Sequence, residues 1–314
     1  MEATNLTQDE NNLKTTGELF CSEFTREVHS ELIFISGLNI FLSITAFVGN
    51  NLILVALRKN SSLHPSSKML FRNLAITDLC VGVLAEPVAV AHWLSAVYER
   101  WDICFYTRMA NVISGYILCS VSLHTMTAIA VDRLLSLLLG VRYRQVVTSK
   151  RICVSLTVTW VWSFAGTSSV LWNALVARWW IYFTIPLCLV TPGICYAKIF
   201  ITLRGHSQVH VLDHKSQRPQ PNRVISLNID RYRKAVYRVL WVQLALVVCY
   251  LPYIISEALT SKGRIPVSAY LARQFSITVA YLNSSLNPVL YCWKIREVRQ
   301  AVKGIIRQIF CSST

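Results

Sequence analysis

Polar side chains stand at helical spacing inside an apolar stretch near the C-terminal end of the sequence. This stretch, residues 281–293, reads YLNSSLNPVLYCW, and Asn283, Asn287 and Tyr291 fall four residues apart within it. Residues at i, i+4 and i+8 share one helix face. Pro288 lacks a backbone N–H and would kink the helix beside that face. Amides in hydrocarbon are stable only with hydrogen-bond partners or water, so the chain must supply such groups.

A carboxylate and a hydroxyl occupy equally apolar surroundings earlier in the chain. Asp78 lies within one long apolar segment and Ser122 within the next. A carboxylate in hydrocarbon needs a cation, a proton or hydrogen-bond donors. Asp78 therefore requires a partner of one of these three kinds.

Long apolar segments make up most of the chain and indicate a membrane protein. The 314 residues are 54% hydrophobic and only 15% charged, and their mean hydropathy is +0.43. Each segment exceeds the ~20 residues that a helix needs to cross ~30 Å of hydrocarbon. The sequence predicts an all-α membrane protein, a bundle of seven transmembrane helices. The predicted helices are residues 31–57, 68–96, 105–138, 151–172, 178–203, 232–259 and 267–293.

Basic residues are distributed unevenly between the connections of these helices. The chain has 31 Lys and Arg against 16 Asp and Glu, a formal charge of +15 that by itself would suit a nucleic acid. Most of the basic residues, however, fall in every second connection and after the last helix. Such residues favour the cytoplasmic side. We expect a multi-pass plasma-membrane protein with an extracellular N-terminus and a cytoplasmic C-terminus, whose basic inner face contacts membrane lipids and an acidic partner, not nucleic acid.

The two ends of the chain differ from the predicted bundle of residues 31–293. Residues 1–30 are polar and predict a flexible extracellular tail, in which Asn5 opens a glycosylation sequon. Residues 294–314 begin with basic and apolar residues at helical spacing. This pattern predicts an amphipathic eighth helix on the inner face and a short cytoplasmic tail, where Cys311 is a candidate for palmitoylation.

Six short motifs occur in order along the predicted helices. The motifs are Gly49-Asn50, Leu74-Ala75-x-x-Asp78-Leu79, Asp132-Arg133, Trp160, Cys249-x-x-Pro252 and Asn287-Pro288-x-x-Tyr291. In combination they resemble the rhodopsin-like (class A) G-protein-coupled receptors over residues 32–310. Within that class, residues 283–300 look most like adenosine receptors, whereas the very short second outer loop looks like melanocortin, cannabinoid and lysophospholipid receptors.

The resemblance implies a heterotrimeric G protein as partner, with arrestin as a second one. It implies that Asp132 holds Arg133 at rest and that Arg133 is freed when the sixth helix swings outward; the alternative is a basic helix end that reaches the lipid headgroups. The acid that many receptors carry on the sixth helix is replaced by Tyr232, so we expect measurable basal signalling. The further positions implied in activation are Tyr196, Tyr250, Pro252, Pro288 and Tyr291.

The resemblance also implies that Asp78, Ser122, Asn283 and Asn287 converge near the middle of the membrane. In the family such a cluster holds a sodium ion in the resting state, where it acts as a negative modulator. The alternative is a protonated Asp78 that is hydrogen-bonded to the two amides without an ion. Apart from this sodium ion, no cofactor is expected.

A ligand pocket is implied in the outer half of the bundle. Amine receptors carry an aspartate where Gly115 stands and opsins a lysine where Tyr281 stands, so neither an ordinary amine nor retinal is expected. A peptide or a lipid remains as the expected class of ligand. Glu86 has two interpretations, an anchor for a cationic ligand or an acid paired with Arg108 or His92. The implied pocket residues are Glu86, Gly115, Tyr116, Cys119, Trp180, Tyr253, Glu257, Arg273, Ile277 and Tyr281.

The outer disulfide departs from the family pattern. Family members join the third helix to the second outer loop, and that loop has no cysteine here. Cys104 could instead pair with Cys21 in the N-terminal tail, or both could remain unpaired.

An ion or proton transporter with seven helices is the alternative function. The sequence contains no inverted repeat or pair of interrupted helices that would favour it. It also contains no nucleophile–base set, phosphate-binding loop or metal cluster, so an enzyme is not predicted. A receptor is therefore favoured, and the identity of its ligand stays open.

Overall fold

Seven long helices form the part of the chain that the computed structural model describes. This part consists of Cys21, residues 27–59, 64–213, 244–260 and 266–294, and Arg299, Gln300, Val302 and Gly304. No strand occurs among these residues. We number the helices α1 (His29–Lys59), α2 (Pro65–Val97), α3 (Trp101–Leu139), α4 (Ser149–Trp172), α5 (Ala174–Asp213), α6 (Leu244–Thr260) and α7 (Val267–Lys294).

Local sequence signals set the ends of several helices. Pro65 begins α2, where its missing N–H is tolerated. The Thr148 hydroxyl caps α4 by accepting from the backbone N–H of Arg151 at 3.4 Å. Asn173 alone separates α4 from α5, and its Oδ1 accepts from the backbone N–H of Leu175 at 2.9 Å. The predicted near absence of the second outer loop is thus confirmed.

The fifth helix is longer than predicted. The apolar segment ends at Leu203, whereas α5 continues to Asp213. Hydropathy marks where apolar side chains stop, and a helix can continue beyond that point with polar residues. Pro186 and Pro192 both lie inside α5 without ending it. Proline is tolerated in membrane helices because neighbouring groups satisfy the freed backbone atoms.

A π-helical turn, Val81–Ala85, interrupts α2. Such a turn adds one residue to the helix, which rotates every later side chain by about 100° relative to a regular α-helix. Gly82 lies in the turn, and its carbonyl accepts a hydrogen bond from the Ser43 hydroxyl of α1 at 2.6 Å. The apolar sequence here gave no sign of this turn, and the rotation matters for Glu86, which follows it directly.

Apolar side chains cover the outside of the bundle, while polar side chains are buried inside. α1 exposes Phe34 and Phe41, and α4 exposes Trp162 and Phe164, whereas Asn50 of α1 is buried. This distribution suits helices that face hydrocarbon. Within the described residues, α1, α2, α3 and α5 are long and apolar enough to span a membrane. The predicted all-α membrane bundle agrees with these features.

The third helix lies at the centre of the bundle and contacts α2, α4 and α5. A disulfide joins Cys104 at its start to Cys21, so the pairing considered for these two cysteines is present. We call this side of the bundle the disulfide end. The opposite side, near the last turns of α3, is called the Arg133 end.

Several predicted features lie outside the described residues. They include Asn5, Cys311 and most of the predicted eighth helix. Within the last segment, Val302 is buried and Arg299 is exposed.

The close contact between α1 and α2 yields a test of the fold. A Cβ added at Gly82 would lie 2.9 Å from Cβ of Ala46 and 3.0 Å from the backbone oxygen of Ser43. We expect Gly82→Ala to lower the apparent melting temperature of the purified protein, because such overpacking costs about 1–3 kcal/mol. The matched control is Gly37→Ala, whose added Cβ would meet nothing within 4 Å. Equal melting temperatures for the two variants would contradict this packing.

Candidate functional site

The carboxylate of Asp78 lies at the centre of a hydrogen-bonded cluster between α2, α3 and α7. Asp78 has no exposed surface. Its Oδ2 accepts from Nδ2 of Asn287 at 2.7 Å. Its Oδ1 accepts from the hydroxyls of Ser284 at 2.9 Å and Ser122 at 3.2 Å. Three donors on two helices therefore hold one carboxylate that water does not reach.

Asn283 is not among the hydrogen-bond partners of Asp78. It is buried, but its Nδ2 has no hydrogen-bond partner among the described residues. Ser284 contributes the second α7 donor to Asp78 instead. Ser284 stands three residues before Asn287, a spacing that also shares a helix face, so the i, i+3 relation could have found it.

Oxygen atoms in this cluster would suit a small, hard cation. Asp78 supplies a carboxylate, and Ser122 and Ser284 supply hydroxyl oxygens within hydrogen-bond distance of it. Oδ1 of Asn287 is buried without a hydrogen-bond partner among the described residues. Carboxylate, hydroxyl and amide oxygens are the ligands that hard cations prefer. The residues present therefore fit a sodium ion.

Polar bonds extend from this cluster to the neighbouring helices. Nδ2 of Asn50 in α1 donates to the backbone oxygen of Ser284 at 3.1 Å. Nδ2 of Asn73 in α2 donates to the Thr125 hydroxyl at 2.9 Å, and its Oδ1 accepts from Nε1 of Trp160 in α4 at 3.2 Å. Polar side chains thus join all helices from α1 to α4, and also α7, near the middle of the bundle.

At the Arg133 end, Asp132 is held by three side chains. It is only 2% exposed and accepts from the Tyr143 hydroxyl at 2.6 Å and the Ser67 hydroxyl at 2.9 Å. Nη2 of Arg133 lies 3.5 Å from Oδ2 of Asp132, and the guanidinium lies 5.7 Å from the Phe71 ring centroid. The predicted contact between Asp132 and Arg133 is present. Ser67 and Tyr143 were missed because nothing in their local sequence indicates this contact.

The other predicted activation residues lie in α5, α6 and α7. Tyr196 is buried in a cluster with Ala130 and Ile199 at the Arg133 end. Pro252 lies within α6, and Pro288 lies within α7 beside Gly49 of α1. The Tyr291 backbone belongs to α7, and its side chain lies outside the described features.

A cavity of about 420 Å³ opens between the helices towards the disulfide end. This volume is in the range of small-ligand sites. Nine of the ten residues predicted for a pocket line it. They are Gly115, Tyr116, Cys119, Trp180, Tyr253, Glu257, Arg273, Ile277 and Tyr281.

Tyrosines form polar links across the cavity. The Tyr253 hydroxyl of α6 donates to the Tyr116 hydroxyl of α3 at 2.8 Å. The Tyr281 hydroxyl of α7 donates to Oδ1 of Asn111 in α3 at 2.9 Å. Gly115 leaves room for that tyrosine, since an added Cβ would lie 2.6 Å from its hydroxyl. α6 and α7 are therefore both bonded to α3 in the walls of the cavity.

An ion pair joins α6 to α7 in the same cavity. Nε of Arg273 lies 3.0 Å from Oε2 of Glu257, and the two side chains are 24% and 14% exposed. The hydroxyls of Ser256 and Ser276 lie 2.8 Å apart and form a second link between α6 and α7. Glu257 is therefore already matched by a cation from the neighbouring helix.

The structure corrects the prediction that Glu86 lines the pocket. Glu86 does not line the cavity and has no exposed surface. Neither of its carboxylate oxygens has a hydrogen-bond partner among the described residues, so the alternative pairing with Arg108 or His92 is also wrong. The prediction came from the family resemblance, and the π turn just before Glu86 changes the direction of its side chain relative to a regular helix. Arg108 and Arg178, which the sequence analysis did not assign to the pocket, do line it.

The sequence matches a known family over most of its length. Residues 49–176 and 167–291 match the family described as 7 transmembrane receptor (rhodopsin family). Adenosine receptor A3 of Ovis aries is 26% identical over 292 residues, which cover 85% of this chain and 88% of the relative. Histamine H2 receptor of Canis lupus familiaris is 26% identical over 285 residues, with coverage of 85% and 77%. Galanin receptor 2a of Danio rerio is 23% identical over 288 residues, with coverage of 88% and 78%.

These matches agree with the helical bundle, the buried polar cluster and the Asp132-Arg133 pair described above. Members of the matched family are receptors and not enzymes, so neither an enzyme nor a transporter is supported. The chain belongs to the rhodopsin family of seven-transmembrane, G-protein-coupled receptors and is related to adenosine receptors.

Proposed function

We propose that this receptor binds an extracellular ligand in the cavity at the disulfide end and activates a heterotrimeric G protein at the Arg133 end. Its N-terminus would lie outside the plasma membrane and its C-terminus in the cytoplasm, in accordance with the placement of the basic residues. The observation that supports this proposal is that the bundle has two sites, one at each end. The ligand-sized cavity and the Asp132–Arg133 contact lie at opposite ends of α3.

Movement of α6 would connect the two ends. The links of α6 to α3 and α7 through Tyr253, Ser256 and Glu257 all follow Pro252 in the sequence. Before Pro252, the described part of α6 contributes apolar side chains such as Leu246 to the core, and one polar contact between Tyr250 and Cys119 of α3. The ion pair and the hydrogen bonds after Pro252 hold that part of α6 to α3 and α7, and Pro252 removes a backbone hydrogen bond between the two parts of the helix. This arrangement supports outward movement of the Arg133 end of α6.

The ligand would act by shifting the population of two states. Tyr250 and Tyr253 line the cavity and flank Pro252 on either side. A ligand that contacts them more favourably in the outward state of α6 would increase the population of that state. In that state Arg133 would become available to the G protein, and the same face would receive arrestin.

Two ligand classes are disfavoured by the cavity wall. Gly115 provides no carboxylate for an amine, and Tyr281 provides no amine for a Schiff base with retinal. The relatives are named for adenosine, histamine and galanin, so family membership alone does not select a ligand. The proposed ligand is therefore a peptide or a lipid.

Arg133 gives the direct test of coupling. We expect wild-type membranes to catalyse measurable guanine-nucleotide exchange on added G proteins without ligand. Arg133→Ala should reduce that exchange to background, because the proposed contact with the G protein is removed. The measurement is nucleotide uptake by a panel covering all G-protein classes, at matched receptor amounts.

Arg100→Ala is the matched control, since Arg100 is exposed at the disulfide end. It should leave basal exchange unchanged. A silent wild-type receptor, or equal exchange by wild type and Arg133→Ala, would contradict the proposal.

Sodium binding at Asp78 gives a second test. We propose that sodium stabilises the resting state, so sodium chloride should lower basal exchange more than choline chloride at the same ionic strength. Asp78→Asn should remove the difference, because an amide keeps the size of the side chain and loses its charge. The alternative, a protonated Asp78 without an ion, predicts no sodium-specific effect.

Neighbouring serines provide a matched pair of variants. Ser284→Ala removes a contact to Asp78 and should weaken the sodium effect. Ser285→Ala should retain it, because the Ser285 hydroxyl donates to the backbone oxygen of Leu42 in α1. An equal sodium response in Asp78→Asn and wild type would exclude this site.

A further inference from the structure

A second, smaller cavity is a groove of about 310 Å³ between α1 and α2. It lies towards the Arg133 end, because α2 begins there: the Ser67 hydroxyl in its first turn donates to Asp132 at 2.9 Å. We call it the α1–α2 groove. It shares no lining residue with the cavity at the disulfide end. Its described lining consists of Leu54, Leu57, Arg58, Lys68, Arg72 and Ile76.

Helix register orders these side chains along the depth of the bundle. On α1, Arg58 follows Leu54 by four residues and lies about 6 Å nearer the Arg133 end. On α2, which runs in the opposite direction, Arg72 precedes Ile76 by four residues and again lies about 6 Å nearer that end. The groove therefore carries charge at its outer edge and apolar side chains deeper in the bundle.

The surface beside the groove is apolar and exposed. Val55 of α1 is 39% exposed and Ile76 of α2 is 38% exposed. Such side chains suit contact with hydrocarbon, whereas arginines near helix ends extend to the lipid head groups. The deeper part of the groove would therefore face acyl chains, and its charged edge would lie at the level of the head groups.

Two arginines of the groove can receive an anion. Arg58 and Arg72 are both exposed, and neither forms an ion pair or a hydrogen bond within the part of the chain that the structure describes. The described lining also contains no acid. Because the two arginines lie on neighbouring helices at the edge of one groove, a single anion could contact both.

Guanidinium groups match the geometry of phosphate, since each can donate two parallel N–H···O bonds to it. A phosphate monoester carries about −1.5 to −2 charges at neutral pH and offers three acceptor oxygens. That charge is close to the combined charge of Arg58 and Arg72. A phosphodiester lacks the second negative charge and would compensate one arginine only. The pair therefore favours a terminal phosphate.

We infer that the α1–α2 groove binds a membrane lipid whose head group ends in a phosphate monoester. The phosphate lies between Arg58 and Arg72, and an acyl chain lies along Leu54 and Ile76. A free phosphate would leave the apolar part of the groove open, and an uncharged lipid would leave the arginines without an anion. The bound lipid joins α1 to α2 at a site separate from the ligand cavity of the proposed function.

Four probes separate these contributions. Phosphatidic acid carries a terminal phosphate and acyl chains, and phosphatidylglycerol carries a phosphodiester and the same chains. Phosphatidylcholine has no net charge, and glycerol phosphate is the head group alone. Each probe is titrated into the purified full-length receptor in a neutral detergent, and the amount bound per receptor is measured by native mass spectrometry.

We expect phosphatidic acid to bind the wild-type receptor at lower concentrations than the other three probes. Arg58→Gln and Arg72→Gln should each weaken its apparent affinity about tenfold, because each removes one charge-assisted contact. Arg72→Glu should weaken it further, since it places a negative charge beside the phosphate. The double variant Arg58→Gln, Arg72→Gln should bind phosphatidic acid and phosphatidylglycerol equally.

Arg144→Gln is the matched control. Arg144 is exposed, follows Tyr143 at the Arg133 end and is not part of the described lining of the groove. This variant should bind phosphatidic acid as the wild type does. Because Arg58 and Arg72 lie on different helices, either variant tests the inference if the other fails to fold.

Four results would overturn the inference. Phosphatidic acid might bind no more tightly than phosphatidylglycerol, or both single glutamine variants might bind it as the wild type does. Equal binding of glycerol phosphate and phosphatidic acid would indicate a site for a free anion. An equal loss of binding in Arg144→Gln would indicate general attraction to a basic face and no specific groove.

This lipid site and the proposed coupling to a G protein can fail separately. Binding of phosphatidic acid requires neither a ligand in the cavity nor a G protein, so it should persist in Arg133→Ala. Loss of lipid binding in Arg58→Gln or Arg72→Gln concerns the groove alone, whereas nucleotide exchange that does not depend on Arg133 concerns the coupling alone.

Discussion

A carboxylate buried between membrane-facing helices is the constraint on which the rest of the bundle depends. Asp78 has no exposed surface, so the protein must supply its partners. Ser122 of α3 supplies one donor, and Ser284 and Asn287 of α7 supply two more. These bonds fix the rotation of α7 and α3 towards α2, because turning either helix would leave the carboxylate and its donors unpaired. Apolar contacts around the cluster could tolerate small rotations of these helices, because such contacts are not directional. The hydrogen bonds to Asp78 could not.

Because α3 contributes to all three functional regions, its orientation links them. Tyr116 meets α6 in the cavity wall, Ser122 meets Asp78, and Asp132 meets Ser67 and Tyr143 at the far end. A helix held at the middle transmits rotation or tilt to both of its ends. We therefore expect a change in the cavity to alter the position of Arg133 through movement of α3 as a whole. No continuous pathway of contacting residues is required. The proposed sodium ion at Asp78 would resist such movement at the point where donors from α3 and α7 meet α2.

Hydropathy predicted the helices, because it reports where long apolar segments lie, and the family resemblance predicted most of the residues that line the cavity. Prediction failed where a side chain's direction depends on something that spacing does not encode. The π turn at Val81–Ala85 rotates Glu86 out of the expected wall. Asn283 and Ser284 are neighbours on α7, and spacing alone did not indicate that Ser284 is a donor to Asp78. Tyr143 reaches Asp132 through a turn of the chain that no periodicity describes.

The same physics explains why family membership says so little about the ligand. A buried carboxylate must be satisfied whatever the receptor binds, so the polar cluster serves every ligand equally. The fold places no such requirement on the cavity wall. Its side chains need only pack, so their charges can differ between receptors that bind different ligands. Arg108, Arg178 and Arg273 line this wall together with Glu257, and Glu257 pairs with Arg273 at 3.0 Å. Selectivity for a ligand would therefore depend on the cavity wall and not on the polar cluster.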